Sequence, residues 1–387
     1  MNANIKPDFN LPSQIYIQKD LNEKIPDIVR SYGKRVVLIS TSHDFQLFST
    51  TIDNIISSLR ANEINCIAYD DLPRFPSTED IDNCVSFIKK TRCDLILGFG
   101  GPESINTAKA AALLGANFVF CQNLFDGEKA PNRPVNFLTI PAYPVFGLEI
   151  MPLFFLKEIH GETKRLFFSE ELFPRATLID PSYAQACDID ISIRSSIASL
   201  AIAAESVISK KNNELSNTFA LKSIDFIFRN LLRCYREPEN YNPRSFVSSA
   251  SVMAGIAFSS SLLSVSLSIA LAVSSYAEID VQNAMNIVLP HIMEFNLTSS
   301  PGKYVQLSKV MGEDVREITV IEAAIKTIEA IRRLQLDLDI PMRLSNYDIP
   351  KSMFKNIANL AVQYPLLENT PREITTNEVE TILIAAY

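Results

Sequence analysis

The 387-residue chain contains no tryptophan and only three histidines, His43, His160 and His291. Imidazoles this few and this scattered exclude a histidine-rich centre for Fe²⁺ or Zn²⁺ built on neighbouring side chains. Six cysteines, Cys66, Cys84, Cys93, Cys121, Cys187 and Cys234, include no C-x-x-C pair. That spacing argues against a thiolate metal site and for free thiols in a reducing compartment. No G-x-S-x-G elbow, Cys/His pairing or Walker loop is present, so the catalytic residues stay unknown. Charge is missing altogether from Ser245 to Ala277, 33 residues without Asp, Glu, Lys, Arg or His.

That run is long enough to cross a bilayer, which takes about 20 residues. At least ten of its positions are serine, however, Arg244 and Glu278 bracket it, and no second apolar run accompanies it. Helices enclosed within large soluble domains are also apolar all round. A single buried helix over Val252–Ser274 is therefore expected, and no membrane span. The net charge of −8 offers no attraction to nucleic acid or an anionic membrane surface. Met1 is followed by polar, Pro-containing sequence with no basic and then apolar stretch, so no signal peptide is expected and the cytoplasm is the default location.

With 47% hydrophobic residues there is ample material for a core, and the length suggests two domains. Short β-branched runs at Arg35–Thr41, Ile64–Tyr69, Leu95–Gly100, Phe118–Gln122 and Asn136–Pro141 read as buried strands. Helical periodicity at 46–61, 79–91 and 103–114 falls between them, which predicts a parallel sheet with crossover helices. Leu153–Lys157 and Lys164–Ser169 face each other across His160-Gly161-Glu162 as a hairpin, and Ala176–Asp180 supplies a last strand. From about Ile191 the pattern is helical, with Asp188 and Asp190 suited to capping the first helix. The chain is expected to divide into residues 1–182, α/β, and residues 183–387, all-helical.

In this order the landmarks resemble the iron-containing (group III) alcohol dehydrogenase family, which shares its architecture with dehydroquinate synthase. Gly98-Phe99-Gly100-Gly101 followed by Ile105, Ala108 and Lys109 is similar to the family's phosphate loop, and Asp180-Pro181 to its entry into the helical domain. Met253–Phe258 resembles its M-A-G-x-A-F helix, Leu289–Asn296 its L-P-H-V-M-x-F-N segment, and Lys303-Tyr304 and Ala385–Tyr387 its late markers. The resemblance implies a dehydroquinate synthase-like fold with a Rossmann-like first domain. It also implies a vestigial dinucleotide site at Gly98, Gly100, Gly101, Asn106 and Lys109, and allows a homodimer.

Departures from the family pattern change the functional expectation. The positions that the resemblance assigns to the metal carry Ala198, Ile202, Leu267 and Val281, with Leu271 beside them, and aliphatic side chains have no lone pairs to coordinate an ion. In the phosphate loop Pro102 lacks an N–H, Glu103 places a carboxylate where a Ser is usual, and Asn106 replaces an Asp. Pro102-Glu103 is also simply a good helix start, and Lys109 reads equally as a phosphate contact or a solvated helix lysine. Bulky Tyr143, Val145 and Phe146 stand where the family's nicotinamide-side motif has small residues.

The expectation is a pseudoenzyme or a binding or regulatory protein, with no metal and no cofactor, serving an unidentified protein partner or small molecule. The alternative is a metal-independent NAD(P)H-dependent carbonyl reductase using the interdomain cleft, for which maleylacetate reductases in the family provide the precedent.

Overall fold

The computed structural model describes residues 9–159 and 163–387. Among the described residues eight strands are formed: β1 (Gln14–Ile17), β2 (Arg35–Ile39), β3 (Asn65–Tyr69), β4 (Leu95–Gly100), β5 (Asn136–Pro141), β6 (Leu153–Lys157), β7 (Lys164–Phe168) and β8 (Ala176–Ile179). Six of them make one all-parallel sheet in the order β1-β8-β5-β4-β2-β3. Its connecting helices are α1 (Ile25–Arg30), α2 (Ser42–Leu47), α3 (Ser49–Ala61), α4 (Thr78–Thr91), α5 (Pro102–Gly115) and α6 (Cys121–Phe125). Every residue of β4 is buried, as a parallel strand covered by helices on both faces must be.

The chain leaves β2 outward to β3 and then returns to β4, which pairs with β2 through Val36↔Leu95 and Ile39↔Gly98. From β4 it proceeds the other way to β5. This reversal opens a crevice beyond the carboxyl ends of β2 and β4, the usual ligand position in such sheets.

The antiparallel hairpin β6–β7 is formed as expected, with Phe155 opposite Leu166; its turn, His160-Gly161-Glu162, lies outside the described residues. The strand expected over Phe118–Gln122 is absent. β4 and β5 pair directly, leaving no slot for a strand between them, and the segment runs over the surface into α6 with Phe118 95% exposed.

After β8 the regular structure is helical: α7 (Ile189–Ile208), α8 (Glu214–Arg236), α9 (Tyr241–Ser261), α10 (Val265–Tyr276), α11 (Val281–Asn296), α12 (Pro301–Val310), α13 (Val320–Asp337), α14 (Phe354–Ala361) and α15 (Thr376–Ala385). Asp188 caps α7 by accepting the Asp190 N–H.

The charge-free segment corrects the sequence reading. It is buried, but it makes two helices, α9 and α10, bent by 102° to each other. Leu262 ends α9 in a left-handed conformation at φ 46°. Ser264 caps α10, and the Glu205 carboxylate of α7 accepts the N–H groups of Val265 and Ser266. A break there exposes the amino end of α10, and the buried Glu205 carboxyl satisfies it. The serines are tolerated because their hydroxyls donate to carbonyls of the preceding turn, as Ser259 does to Gly255 at 2.9 Å and Ser275 to Leu271 at 2.8 Å. By length and apolarity α7 would also suffice to cross a bilayer, yet 89% of its apolar window is enclosed within the fold.

The two halves meet through a close backbone crossing. A Cβ on Gly147, in the turn after β5, would come within 2.5 Å of Gly255 Cα, and one on Gly255 within 2.4 Å of Gly147 O. Ser251 of α9 accepts the Gly147 N–H at 3.0 Å. The turn is thereby fixed against α9.

Candidate functional site: the crevice at the end of the parallel sheet

The phosphate-loop residues converge at the crevice. Gly98 sits where β4 touches α5, since a Cβ there would approach Ala108 Cβ to 2.4 Å. Gly100 has φ +132°, a conformation that side chains rarely adopt. Gly101 caps α5 and Pro102 opens it, so the helix start read from Pro102-Glu103 is formed. A dinucleotide phosphate would sit at this amino end, where free N–H groups and the helix dipole attract anions.

An anion from the chain itself occupies that place. Asp44, in α2, accepts the Gly101 N–H at 2.8 Å and the Ser104 hydroxyl at 2.6 Å through the same oxygen, Oδ2. Ser104 Oγ in turn accepts the Thr41 N–H at 2.9 Å, which ties the end of β2 to the start of α5. Burial pushes the Asp44 carboxyl above its usual range, while its bonds to Ser104 and Gly101 hold it back. On the other side the Tyr143 hydroxyl lies against Gly101, 2.1 Å from where a Cβ would be.

Neither Asp44 nor Ser104 was recognised from the sequence. The available signal was Thr41-x-x-Asp44, a helix-start pattern directly after a strand; the Thr41 hydroxyl does cap α2 by accepting the Asp44 N–H at 3.3 Å.

Asn106 and Lys109 serve backbone groups of the neighbouring segment. Asn106 Oδ1 accepts the Phe155 N–H at 3.0 Å. Lys109, fully buried, donates to the carbonyls of Leu148, Met151 and Leu153 at 2.5, 2.5 and 3.1 Å. The reading of Lys109 as a solvated lysine is thus wrong, because the apolar turn after β5 folds over it and supplies its acceptors. Burial lowers its pKa to about 7 against the pull of Glu149. Val145 and Phe146 are buried with it.

The positions that the resemblance assigns to the metal lie in one apolar core. Ala198 and Ile202 of α7 and Leu267 and Leu271 of α10 have no exposure, and Val281 of α11 is 1% exposed. Among the described residues no three His, Cys, Asp or Glu side chains converge so as to hold an ion. His43 lines the crevice, whereas His291 is in α11 and His160 lies outside the described residues. The donor set does not fit iron or zinc.

Between the two halves a cavity of about 50 Å³ is left, lined by Asp44, Glu103 and Tyr143 on one side and Arg194, Asp280 and Gln282 on the other. Small-molecule sites commonly measure about 300–1,000 Å³. Burial raises the pKa of the Glu103 carboxyl to about 7, against the field of Lys164. A larger groove of about 620 Å³ lies elsewhere, between the β6–β7 hairpin and α14. Its charged groups, Glu158 and Arg165, are paired with each other at 2.7 Å.

The chain resembles known proteins along nearly its whole length. It is 22% identical over 363 residues to 1,3-propanediol dehydrogenase of Klebsiella pneumoniae, covering 92% of each chain. It is 22% identical to NAD-dependent methanol dehydrogenase of Bacillus methanolicus, covering 97% of this chain and 98% of the relative. Its fold superposes on the alcohol dehydrogenase from Oenococcus oeni with a TM-score of 0.94 at 20% identity, covering 99% of this chain and all of that one. Residues 12–181 match the family described as "Iron-containing alcohol dehydrogenase", and residues 192–387 match the "Fe-containing alcohol dehydrogenase family, C-terminal". The chain belongs to the iron-containing alcohol dehydrogenase family.

Proposed function

We propose that this member of the family works without metal and without a dinucleotide, as a binding or regulatory protein built on the dehydrogenase fold. The observation that carries this reading is the Asp44 carboxylate at the amino end of α5, bonded to Gly101 and Ser104. A dinucleotide would have to displace a buried anion that never diffuses away, and then move Tyr143 as well. The aliphatic packing of Ala198, Ile202, Leu267 and Val281 supports the same reading, because hydride transfer to or from an alcohol in the metal-dependent manner needs a cation to polarise the oxygen. The activities named for the relatives, oxidation of 1,3-propanediol or methanol, are accordingly not carried over. The protein acts instead on a small molecule or a protein partner in the cytoplasm.

Titration of the purified protein with NADH and NADPH, followed by nucleotide fluorescence or calorimetry, tests the proposal. The expected dissociation constants are weaker than about 1 mM, equivalent to less than about 4 kcal/mol of binding. Micromolar binding overturns the proposal in favour of a metal-independent NAD(P)H-dependent carbonyl reductase.

A further inference from the structure

The groove between the β6–β7 hairpin and α14, about 620 Å³, is within the size range of small-molecule sites, about 300–1,000 Å³. It shares no lining residue with the crevice cavity. Among the described residues its only charged lining groups are Glu158 and Arg165, which neutralise each other at 2.7 Å. Glu158 also accepts the Thr163 hydroxyl at 2.5 Å and the Gln122 amide at 3.0 Å, and Arg165 donates to the Phe125 carbonyl at 2.6 Å. The hairpin wall therefore offers no uncompensated charge.

The opposite wall offers neutral polar groups. Asn356 and Asn359 of α14 and Gln363 just beyond it are three and four residues apart, a spacing that keeps them on one face, and all three are exposed. Among the described residues the Asn359 amide makes no side-chain hydrogen bond, and Gln363 uses only its N–H, on the Asn359 carbonyl at 3.1 Å. Tyr276, at the end of α10, is 38% exposed, and its hydroxyl has no hydrogen-bond partner among the described residues. Tyr364 is fixed instead, its hydroxyl donating to the Lys164 carbonyl of β7, which ties the two walls together.

We propose that this groove binds a neutral polyhydroxylated compound, a saccharide of one or two rings. A sugar hydroxyl both donates and accepts, as do the side-chain amides and the phenol that line the groove. An ion would lose its hydration without gaining a free countercharge, and a wholly apolar ligand would cover the amides and leave them unpaired. The Tyr276 ring with Leu166 and Leu360 supplies apolar surface for the C–H face of a sugar ring. The groove is separate from the crevice, so the inference holds whether or not a dinucleotide binds there.

The test uses the full chain and four neutral disaccharides, maltose, cellobiose, lactose and sucrose, followed by ligand-observed NMR. At least one is expected to bind saturably at about 10 mM or tighter, with gluconate, glucosamine and 1,6-hexanediol at least about fivefold weaker than that sugar. Asn359→Leu, Gln363→Leu and Tyr276→Ala should each weaken the bound sugar about fivefold. These side chains are exposed or half-exposed, so the variants are expected to keep the cooperative unfolding of the unmodified protein. Saturation by none of the four sugars, equal affinity for any of the three controls, or unchanged sugar affinity in all three variants overturns the proposal.

Discussion

Asp44 and Gly101, 57 residues apart, are joined by a 2.8 Å hydrogen bond from the glycine N–H to the aspartate carboxylate. The bond places an internal anion at the helix end where a phosphate would otherwise bind, and Gly100 beside it has no room for a Cβ, which would come within 2.3 Å of Asp44 Oδ2. Gly100 and Gly101, which let a backbone approach a ligand, are retained, and the approach is made by Asp44 instead.

The position of Asp44 changes what is needed to recover dinucleotide binding. From the sequence, Pro102→Gly with Glu103→Ser is the obvious repair. With Asp44 in place, that pair is expected to leave NADH affinity weaker than about 1 mM. Adding Asp44→Ser and Tyr143→Ala should bring a measurable gain, read by NADH fluorescence titration, while alcohol oxidation stays absent in both variants. Recovery by the first pair alone would show that Asp44 is no barrier.

Gly147 and Gly255 hold the two halves at backbone contact. Gly147 also has φ +85°, so Gly147→Ala meets both a clash and an unfavourable conformation. Gly147→Ala and Gly255→Ala are each expected to destabilise the protein by about 3 kcal/mol or more, as measured by urea unfolding. Gly302→Ala, at a site with open space around it, is the control and should change stability by less than about 1 kcal/mol.

Metal loading should fail. After purification without chelator, incubation with Fe²⁺ or Zn²⁺ and dialysis, elemental analysis is expected to find far less than one equivalent per chain. A stoichiometric ion that survives dialysis would contradict the aliphatic core at Ala198, Ile202, Leu267 and Val281.

Buried carboxyls make stability fall as pH rises. Burial raises the Glu205 pKa from 4.5 to about 7, against its bonds from Ser266 and Val265. Between those two values the folded protein holds a proton that the unfolded chain has released. The penalty is therefore absent below about pH 4.5 and complete above about pH 7. Glu149 and Glu103, also raised to about 7, act in the same direction. Unfolding free energy should thus decline between pH 5 and pH 8 through these groups, and Glu205→Gln should reduce that decline by a few kcal/mol at most.

Much of the fold was legible because it depends on local pattern. Short β-branched runs and helical stripes located β2 to β8, the hairpin and the change to helices after β8, and the lack of donor atoms at Ala198, Ile202, Leu267 and Val281 needed only residue identity. Where local pattern misled, neighbours distant in sequence decided the outcome. Phe118–Gln122 has the composition of a strand, but the sheet has no place for it once β4 pairs with β5. Val252–Ser274 reads as one helix, but Glu205, from another helix, accepts the N–H groups exposed by the break near Leu262. Lys109 looks free until the turn after β5 closes over it. Asp44 gains its meaning only when the strand order β4-β2 brings the ends of those two strands side by side. A carboxylate and a glycine N–H separated by 57 residues leave no periodic trace in a sequence, because their meeting is set by how the sheet is wound.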